Sequence, residues 1–395
     1  MAGKTANNKL VRFGDNMKRR HVLTAAAALA TGASTVAVLG NKPKISGGGE
    51  APKPGTPFIS KNRLQLRLVT SWPKDFPGLG IMANRFAEYV NLMTEGRIEV
   101  KVYAAGEFVG ALEVFDTVSS GGADIYHSAE YYWQGKAKAF SFFTAVPLGL
   151  TATEMSGWIR FGGGQELWDK LSAKFNIKAM HAGNTGHQMG GWFKKPINSL
   201  EDFKGLTMRM PGMGGEVINR LGGAVQTLSG GQIYQALQSG AIDATEWVGP
   251  WNDYAFGFYR EAPYYYGPGF HEPGAALGLG INLQVWEGLS ATDQAIFKAA
   301  SHMANDISIG EYTHKNAQAL IALKEKHNIS PRTFPKEVWN KIGQLSHEVV
   351  AEIGNSDKQT KEIYDSFLKA RDGYRSWTEI SDGAYIAARA SSLKV

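Results

Sequence analysis

One order of elements, strand, helix, strand, helix, strand, is written twice in this 395-residue chain. In the first copy "RLQLRLVTS" (63–71) alternates at period two, and "GIMANRFAEYVNLMTEG" (80–96) has helical spacing with a closing glycine. "RIEVKVYA" (97–104) alternates again, "GALEVFDTVSSGG" (110–122) predicts a short helix ended by glycines, and "ADIYHS" (123–128) a third strand. The second copy opens at Ser199, which with Asp202 makes a helix-start pattern. It continues as "GLTMRMP" (strand), "GGEVINRLGG" (helix), "AVQTL" (strand), "GGQIYQALQSG" (helix) and "AIDATEWV" (strand). The ends of the copies match in letters: "SGGADIYHS" (120–128) aligns without gaps to "SGAIDATEW" (239–247) at an offset of 119. A supersecondary unit repeated this way predicts two similar α/β lobes, which also suits a chain too long for one core.

Beyond the repeats the pattern turns helical. Residues 285–327 read as largely helix, with Ser290 before Asp293 as a start signal; Pro335 opens another helix, and a third runs from about Asp357 to Ala390. "YYY" (264–266) and "GPGFHEPG" (267–274) read as the segment that crosses from the second unit to these helices.

A formal charge of +6 invites a nucleic-acid or membrane partner, but its distribution withdraws the invitation. Nine of the 42 Lys and Arg, and only two of the 36 Asp and Glu, fall in residues 1–57, so the remainder stands at −1. No basic stripe interleaved with aromatics, as nucleic-acid binding needs, is present. The basic leader has the build of an export signal. Lys18-Arg19-Arg20 precedes an alanine-rich uncharged stretch to Gly40, and Arg19-Arg20 resembles the twin-arginine type. An uncleaved anchor or an ordinary helix start is the alternative, and Met17 is a candidate initiator. Residues 41–57, rich in Gly, Pro and Lys, read as a linker. The absence of cysteine excludes disulfides, a lipoprotein anchor and thiol chemistry.

One residue in the second unit asks for a partner. Arg209 lies near the carboxyl end of "GLTMRMP", opposite in face to Leu206, Met208 and Met210. Parallel strands with right-handed crossovers place ligands outside their carboxyl ends, and Glu246 and Trp247 end another strand of the same unit. Two readings stand. Arg209 is either paired with Glu246 in a structural salt bridge, or it grips an incoming carboxylate through its planar fork, which lysine would not replace. No dinucleotide, P-loop, G-x-S-x-G or H-E-x-x-H pattern accompanies it: "PGMGGE" fails at Val217, and the nine histidines lack metal-ligand spacing. An exported enzyme acting on a small carboxylate is the rival class, and it lacks a nucleophile or cofactor motif.

"HAGNTGHQMGGWF" (181–193), "GLTMRMPG" (205–212), "GAIDATEWVGPW" (240–251) and "APYYYGPGFHEPG" (262–274) resemble the solute-binding proteins of TRAP transporters, nearest to the group that binds 2-oxo acids such as pyruvate. The resemblance runs from about residue 63 to the end. It implies the two-lobed clamshell α/β fold of periplasmic binding proteins with a long C-terminal helix, and membrane subunits of a TRAP transporter as partners. It implies that Arg209 holds the ligand carboxylate, and that Gln188, Glu246, the Trp247 backbone carbonyl and Glu272 hold a bridging cation, Na⁺ or Ca²⁺. It implies further that Gln188, Asn184, Tyr132, Trp133, Trp192 and Trp247 line the substrate wall. Hydroxy acids and aromatic carboxylates remain alternative ligands. A departure is His187 beside Gln188, which either adds a donor or faces outward.

Charge supports the cation apart from the family. An acid beside Glu246, Glu272 and Arg209 sums to −2, costly to enclose; Na⁺, Ca²⁺ or a protonated glutamate would relieve it. The expected organisation is an export signal at 1–40, a linker at 41–57, lobe I at 58–185 with 272–311, lobe II at 186–271 with 312–356, and a helical extension at 357–395. In relatives such an extension mediates a homodimer; the alternative is a helix packed back on its own lobes.

Overall fold

The computed structural model describes residues 63–393, so the expected export signal and linker lie outside the described residues. Two five-stranded sheets carry the repeats. In the first, β1 (Leu64–Thr70) is parallel to β2 (Ile98–Tyr103) and to β3 (Ile125–Ser128), with α1 (Leu79–Met93) and α2 (Val114–Ser119) as the crossovers. Two short 3₁₀ turns (Glu130–Trp133 and Lys138–Phe143), α3 (Ala152–Phe161) and α4 (Gly164–Ser172) follow, and β4 (Ile177–Asn184) joins the same sheet.

The second sheet is built from β5 (Gly191–Phe193), β6 (Thr207–Arg209), β7 (Ala224–Gln226), β8 (Ala244–Thr245) and β9 (Tyr264–Tyr266). Its helices are α5 (Gly212–Arg220), α6 (Gly230–Ser239) and α7 (Pro250–Phe256). The chain then returns to the first sheet as β10 (Ala276–Asn282) and finishes in α8 (Leu283–Gly288), α9 (Ala291–His327), α10 (Lys336–Gly354), α11 (Lys358–Ile380) and α12 (Asp382–Ser392).

The strand orders are β2-β1-β3-β10-β4 and β7-β6-β8-β5-β9. In both, the first three strands are parallel and the fourth is antiparallel to its neighbours. The repetition read from the sequence is therefore a repetition of topology. Each fourth strand also adjoins a connection between the sheets: the chain passes from β4 to β5 in one direction and from β9 to β10 in the other. These two connections run side by side, Thr185 N–H donating to Ala275 O (3.1 Å), Gln188 N–H to Glu272 O (3.1 Å) and Gly269 N–H to Gln188 O (2.8 Å).

Several expected elements change at their edges. "AIDATEWV" pairs only at Ala244 and Thr245, because both of its partners are only three residues long and the chain turns into α7 at Pro250. "YYY" is an edge strand, and the crossing begins after it. The helix expected from Asp357 to Ala390 is broken at Ser381, whose φ of −103° and ψ of −107° leave the helical region. Ser199 and Asp202 do form a reciprocal cap, over a 3₁₀ turn rather than an α-helix. Ser290 caps the 37-residue α9 through Asp293 N–H, as its sequence position suggested. No described helix is long and apolar enough to cross a membrane.

The core of the first sheet's helical side is aromatic. Phe143 lies between Trp158 (5.3 Å, 13°) and Trp168 (5.0 Å, 9°), all three buried, and Trp158 also meets the edge of Phe367 from α11. That contact ties the C-terminal helix to the lobe. Phe143→Ala should lower stability by about 3–5 kcal/mol, measured by urea unfolding, since truncation of so enclosed a ring leaves a cavity the two indoles cannot fill.

Candidate functional site

Arg209 is the last residue of β6, and Glu246 follows the last residue of the neighbouring β8, so the ladder itself sets their side chains together. Arg209 is 0% exposed. Its Nε donates to Leu228 O (3.2 Å), Nη1 to Glu246 O (3.1 Å) and to the Glu246 carboxylate, and Nη2 to the Tyr132 hydroxyl (3.3 Å). The guanidinium stands over the Trp247 ring at 4.9 Å. The salt bridge left open in the sequence is thus formed. It does not use up the group: of five N–H donors, one on Nη2 is left over.

Glu246 has a second neighbour. His271 Nε2 lies 3.3 Å from its other carboxylate oxygen, and the ligand atoms of Glu246, His271 and Glu272 all fall within 4.8 Å of one another, all buried. Glu272 arrives on the β9–β10 connection and Gln188 on the β4–β5 connection. Gln188 Nε2 donates to Glu272 (2.7 Å) and to Thr185 Oγ1 (3.0 Å), while its Oε1, also buried, has no partner.

Burial and then the charge of Glu246 push the Glu272 carboxyl up to about 8. Burial works against a charged His271, but the hydrogen bond to Glu246 and the two carboxylates outweigh it, and its pKa is raised. The cluster therefore holds two carboxyls against one permanent cation and one histidine drawn towards its charged form. Glu246, Glu272 and the free Gln188 oxygen are hard donors on one small volume, a set suited to Na⁺ or Ca²⁺. One buried amide oxygen without a hydrogen bond is the observation that favours an ion there.

A narrow cavity adjoins the cluster, lined among others by Trp72, Tyr131, Tyr132, Thr185, Gln188 and Trp247. Three residues expected on its wall are elsewhere. Trp133 packs into the first lobe's core against Phe115 (5.0 Å) and Tyr126 (5.7 Å). Trp192 stacks on Tyr265 at 3.8 Å and donates to Asp253 (2.9 Å). Asn184 accepts the Gly186 N–H (2.8 Å) at the turn out of β4. His187 is exposed, the outward alternative. Sequence reasoning missed Trp72, Tyr131 and Thr185 as lining and His271 as the second partner of Glu246. Two of these had a signal: Trp72 stands just past the carboxyl end of β1, and His271 directly precedes Glu272.

The family model for bacterial extracellular solute-binding proteins, family 7 (DctP), matches residues 68–357. The chain belongs to this family. It is a solute-binding protein of the TRAP-transporter type, and family members work outside the cytoplasmic membrane. It is 39% identical over 371 residues, 93% of this chain and 98% of the other, to the monocarboxylate 2-oxoacid-binding periplasmic protein of Nostoc sp. strain PCC 7120. A TRAP solute-binding protein of Pseudoalteromonas atlantica with bound sodium and pyruvate is similar at 39% identity and a TM-score of 0.80, over 82% of this chain and 99% of that one. A relative from Bordetella bronchiseptica, a dimer with copurified calcium and picolinate, is similar at 34% identity and a TM-score of 0.82, over 84% of this chain and 98% of that one.

The Arg209–Glu246 pair makes a prediction that needs no ligand. Removing either partner leaves a buried charge, so Arg209→Met and Glu246→Met should each cost about 3–5 kcal/mol in urea unfolding. The double variant should cost clearly less than the sum, and additive losses would mean that the two groups do not share a charge.

Proposed function

We propose that this protein captures a small monocarboxylate of the 2-oxo acid class, pyruvate being the leading case, together with a Na⁺ or Ca²⁺ ion, and delivers it to the membrane subunits of a TRAP transporter. The observation that carries the reading is the buried group of Glu246, Glu272 and the unpaired Gln188 oxygen beside the buried Arg209. In this reading Arg209 and Tyr132 hold the acid's carboxylate, while Gln188, Glu246, Glu272 and the Trp247 carbonyl hold the ion. Trp247 and the other aromatic lining set the size of the acid. Asn184, Trp133 and Trp192 support the wall from behind. The sodium and calcium of the relatives, with pyruvate and picolinate, support both halves of the claim.

Capture involves no covalent step. Lobe I (58–185 with 272–311) and lobe II (186–271 with 312–356) close about the two antiparallel connections, and the ligand's contacts to both lobes supply the closing free energy. Export through the twin-arginine route, led by Arg19 and Arg20, would place the folded receptor in the periplasm.

Calorimetry tests the function. Protein stripped with chelator should bind pyruvate only when Na⁺ or Ca²⁺ is returned, more tightly than lactate or an aromatic carboxylate. Arg209→Ala should abolish binding, and Glu272→Ala should raise the cation concentration required. A folded wild-type protein that binds no monocarboxylate with either ion would refute the proposal.

The extension at 357–395 we assign to a homodimer. Trp377, Ile380, Tyr385 and Ile386 on α11 and α12 are between 54% and 74% exposed, an apolar face that a lone copy leaves in water. The dimeric Bordetella relative supports this. Light scattering should give a dimer for the wild type and a monomer for the Trp377→Glu, Ile386→Glu double variant.

A further inference from the structure

Glu130 lies in the first lobe and is no part of the cation cluster, yet it is 0% exposed. It opens the 3₁₀ turn Glu130–Trp133, whose residues divide between two directions. Glu130 and Trp133 turn into the core; Tyr131 and Tyr132 line the binding cavity. Tyr132 reaches Arg209 Nη2 (3.3 Å), and Tyr131 lies against Gly212, where a Cβ would approach its ring to 3.2 Å. This turn is therefore a piece of the first lobe that touches the arginine end of the second.

The carboxyl of Glu130 has a pocket made for it. One oxygen accepts from the Tyr126 hydroxyl (2.8 Å). A Cβ on Gly278 would stand 2.2 Å from that oxygen, and one on Gly280 would stand 2.0 Å from the Tyr126 ring, so β10 has room for the pair only because both positions are glycine. The indole N–H groups of Trp133 and Trp168 and the second Glu130 oxygen are buried without a hydrogen-bond partner. Burial pushes the carboxyl up to about 8, so it need not be charged at neutral pH. An apolar side chain would fill this place without the desolvation a carboxyl suffers.

We infer that Glu130 is a positioning residue: its buried carboxyl, held by Tyr126 and seated against Gly278, fixes the turn that presents Tyr131 and Tyr132 to the ligand site. The inference rests on the proposed capture of an acid beside Arg209. A side chain that fixes the residues around a ligand acts on affinity, whereas a merely structural one acts on folding alone.

The test compares Glu130→Met, Glu130→Gln and Tyr126→Phe with the wild type, each by calorimetry with pyruvate and Ca²⁺, by thermal unfolding and by crystallography. Glu130→Met should bind pyruvate at least about tenfold more weakly, in the range expected when a supporting partner of a site residue is lost. Its turn 130–133 should be displaced and the Tyr132 hydroxyl drawn away from Arg209. Glu130→Gln should recover most of the affinity, and Tyr126→Phe should weaken binding by a smaller factor. If Glu130→Met does not fold, Tyr126→Phe carries the test alone. Unchanged affinity with a superposable turn in the folded variants would overturn the inference. A wild type that binds no acid refutes the functional proposal instead, and the position of the turn in the variant crystals then decides the role of Glu130.

Discussion

A guanidinium and a carboxylate with no access to water stand at the centre of this molecule. Enclosing Arg209 and Glu246 costs several kcal/mol per ion, and only close pairing with further hydrogen bonds brings the sum near balance. The structure supplies them: the carbonyls of Leu228 and Glu246 and the Tyr132 hydroxyl for Arg209, His271 for the second oxygen of Glu246. Such a pair is a poor source of stability and a good source of order. Each partner is tolerable only where the other stands, so the ends of β6 and β8, the turn at 130–133 and the segment at 271 have one acceptable arrangement.

The remaining site residues depend on connectivity. Gln188 and Glu272 lie on the two segments that pass between the sheets, and those segments are hydrogen-bonded to each other at Gln188 N–H and Glu272 O. Their side chains meet as a consequence, and the meeting point lies next to the strand end that carries Glu246. A bound ion and acid in the proposed place would touch both lobes and both connections at once. Differential contact of this kind is what a ligand needs in order to shift a receptor from open to closed.

The sequence disclosed the repeat, Arg209 and Glu246 because each leaves a local mark, whereas Glu272 came only with the family resemblance. Alternation at period two gave β1, β2 and β6; Ser290 with Asp293 gave the start of α9; and Arg209 stood out as a charge in an apolar strand. The failures are long-range. Nothing beside Trp133 or Trp192 in the chain says that one ring joins Phe115 and the other stacks on Tyr265. An aromatic residue near a ligand and one in a core have the same letters around them. The break at Ser381 did leave a local sign that went unread, the turn-prone run Ser381-Asp382-Gly383 inside the helical pattern.

The repeat also explains how one architecture gives two chemistries. By the offset that aligns the units, His127 in the first copy stands where Glu246 stands in the second. Both are fully buried at the carboxyl end of the third parallel strand. His127 Nδ1 accepts the Trp72 indole N–H at 2.8 Å, and burial lowers its pKa to about 4, so the ring is neutral and serves to aim an aromatic wall residue. Glu246 at the matching place faces Arg209 and His271 instead. One strand end thus presents an apolar surface and the other a charged one, and they face a common cavity through Trp72 and Trp247, whose rings meet edge to face at 6.3 Å. In the proposed binding mode a ligand with an ionised head and a short apolar remainder would satisfy both surfaces at once. In the same mode a solute without an oxygen acceptor would leave an Arg209 N–H unanswered, and a dicarboxylate would set its second charge against aromatic rings.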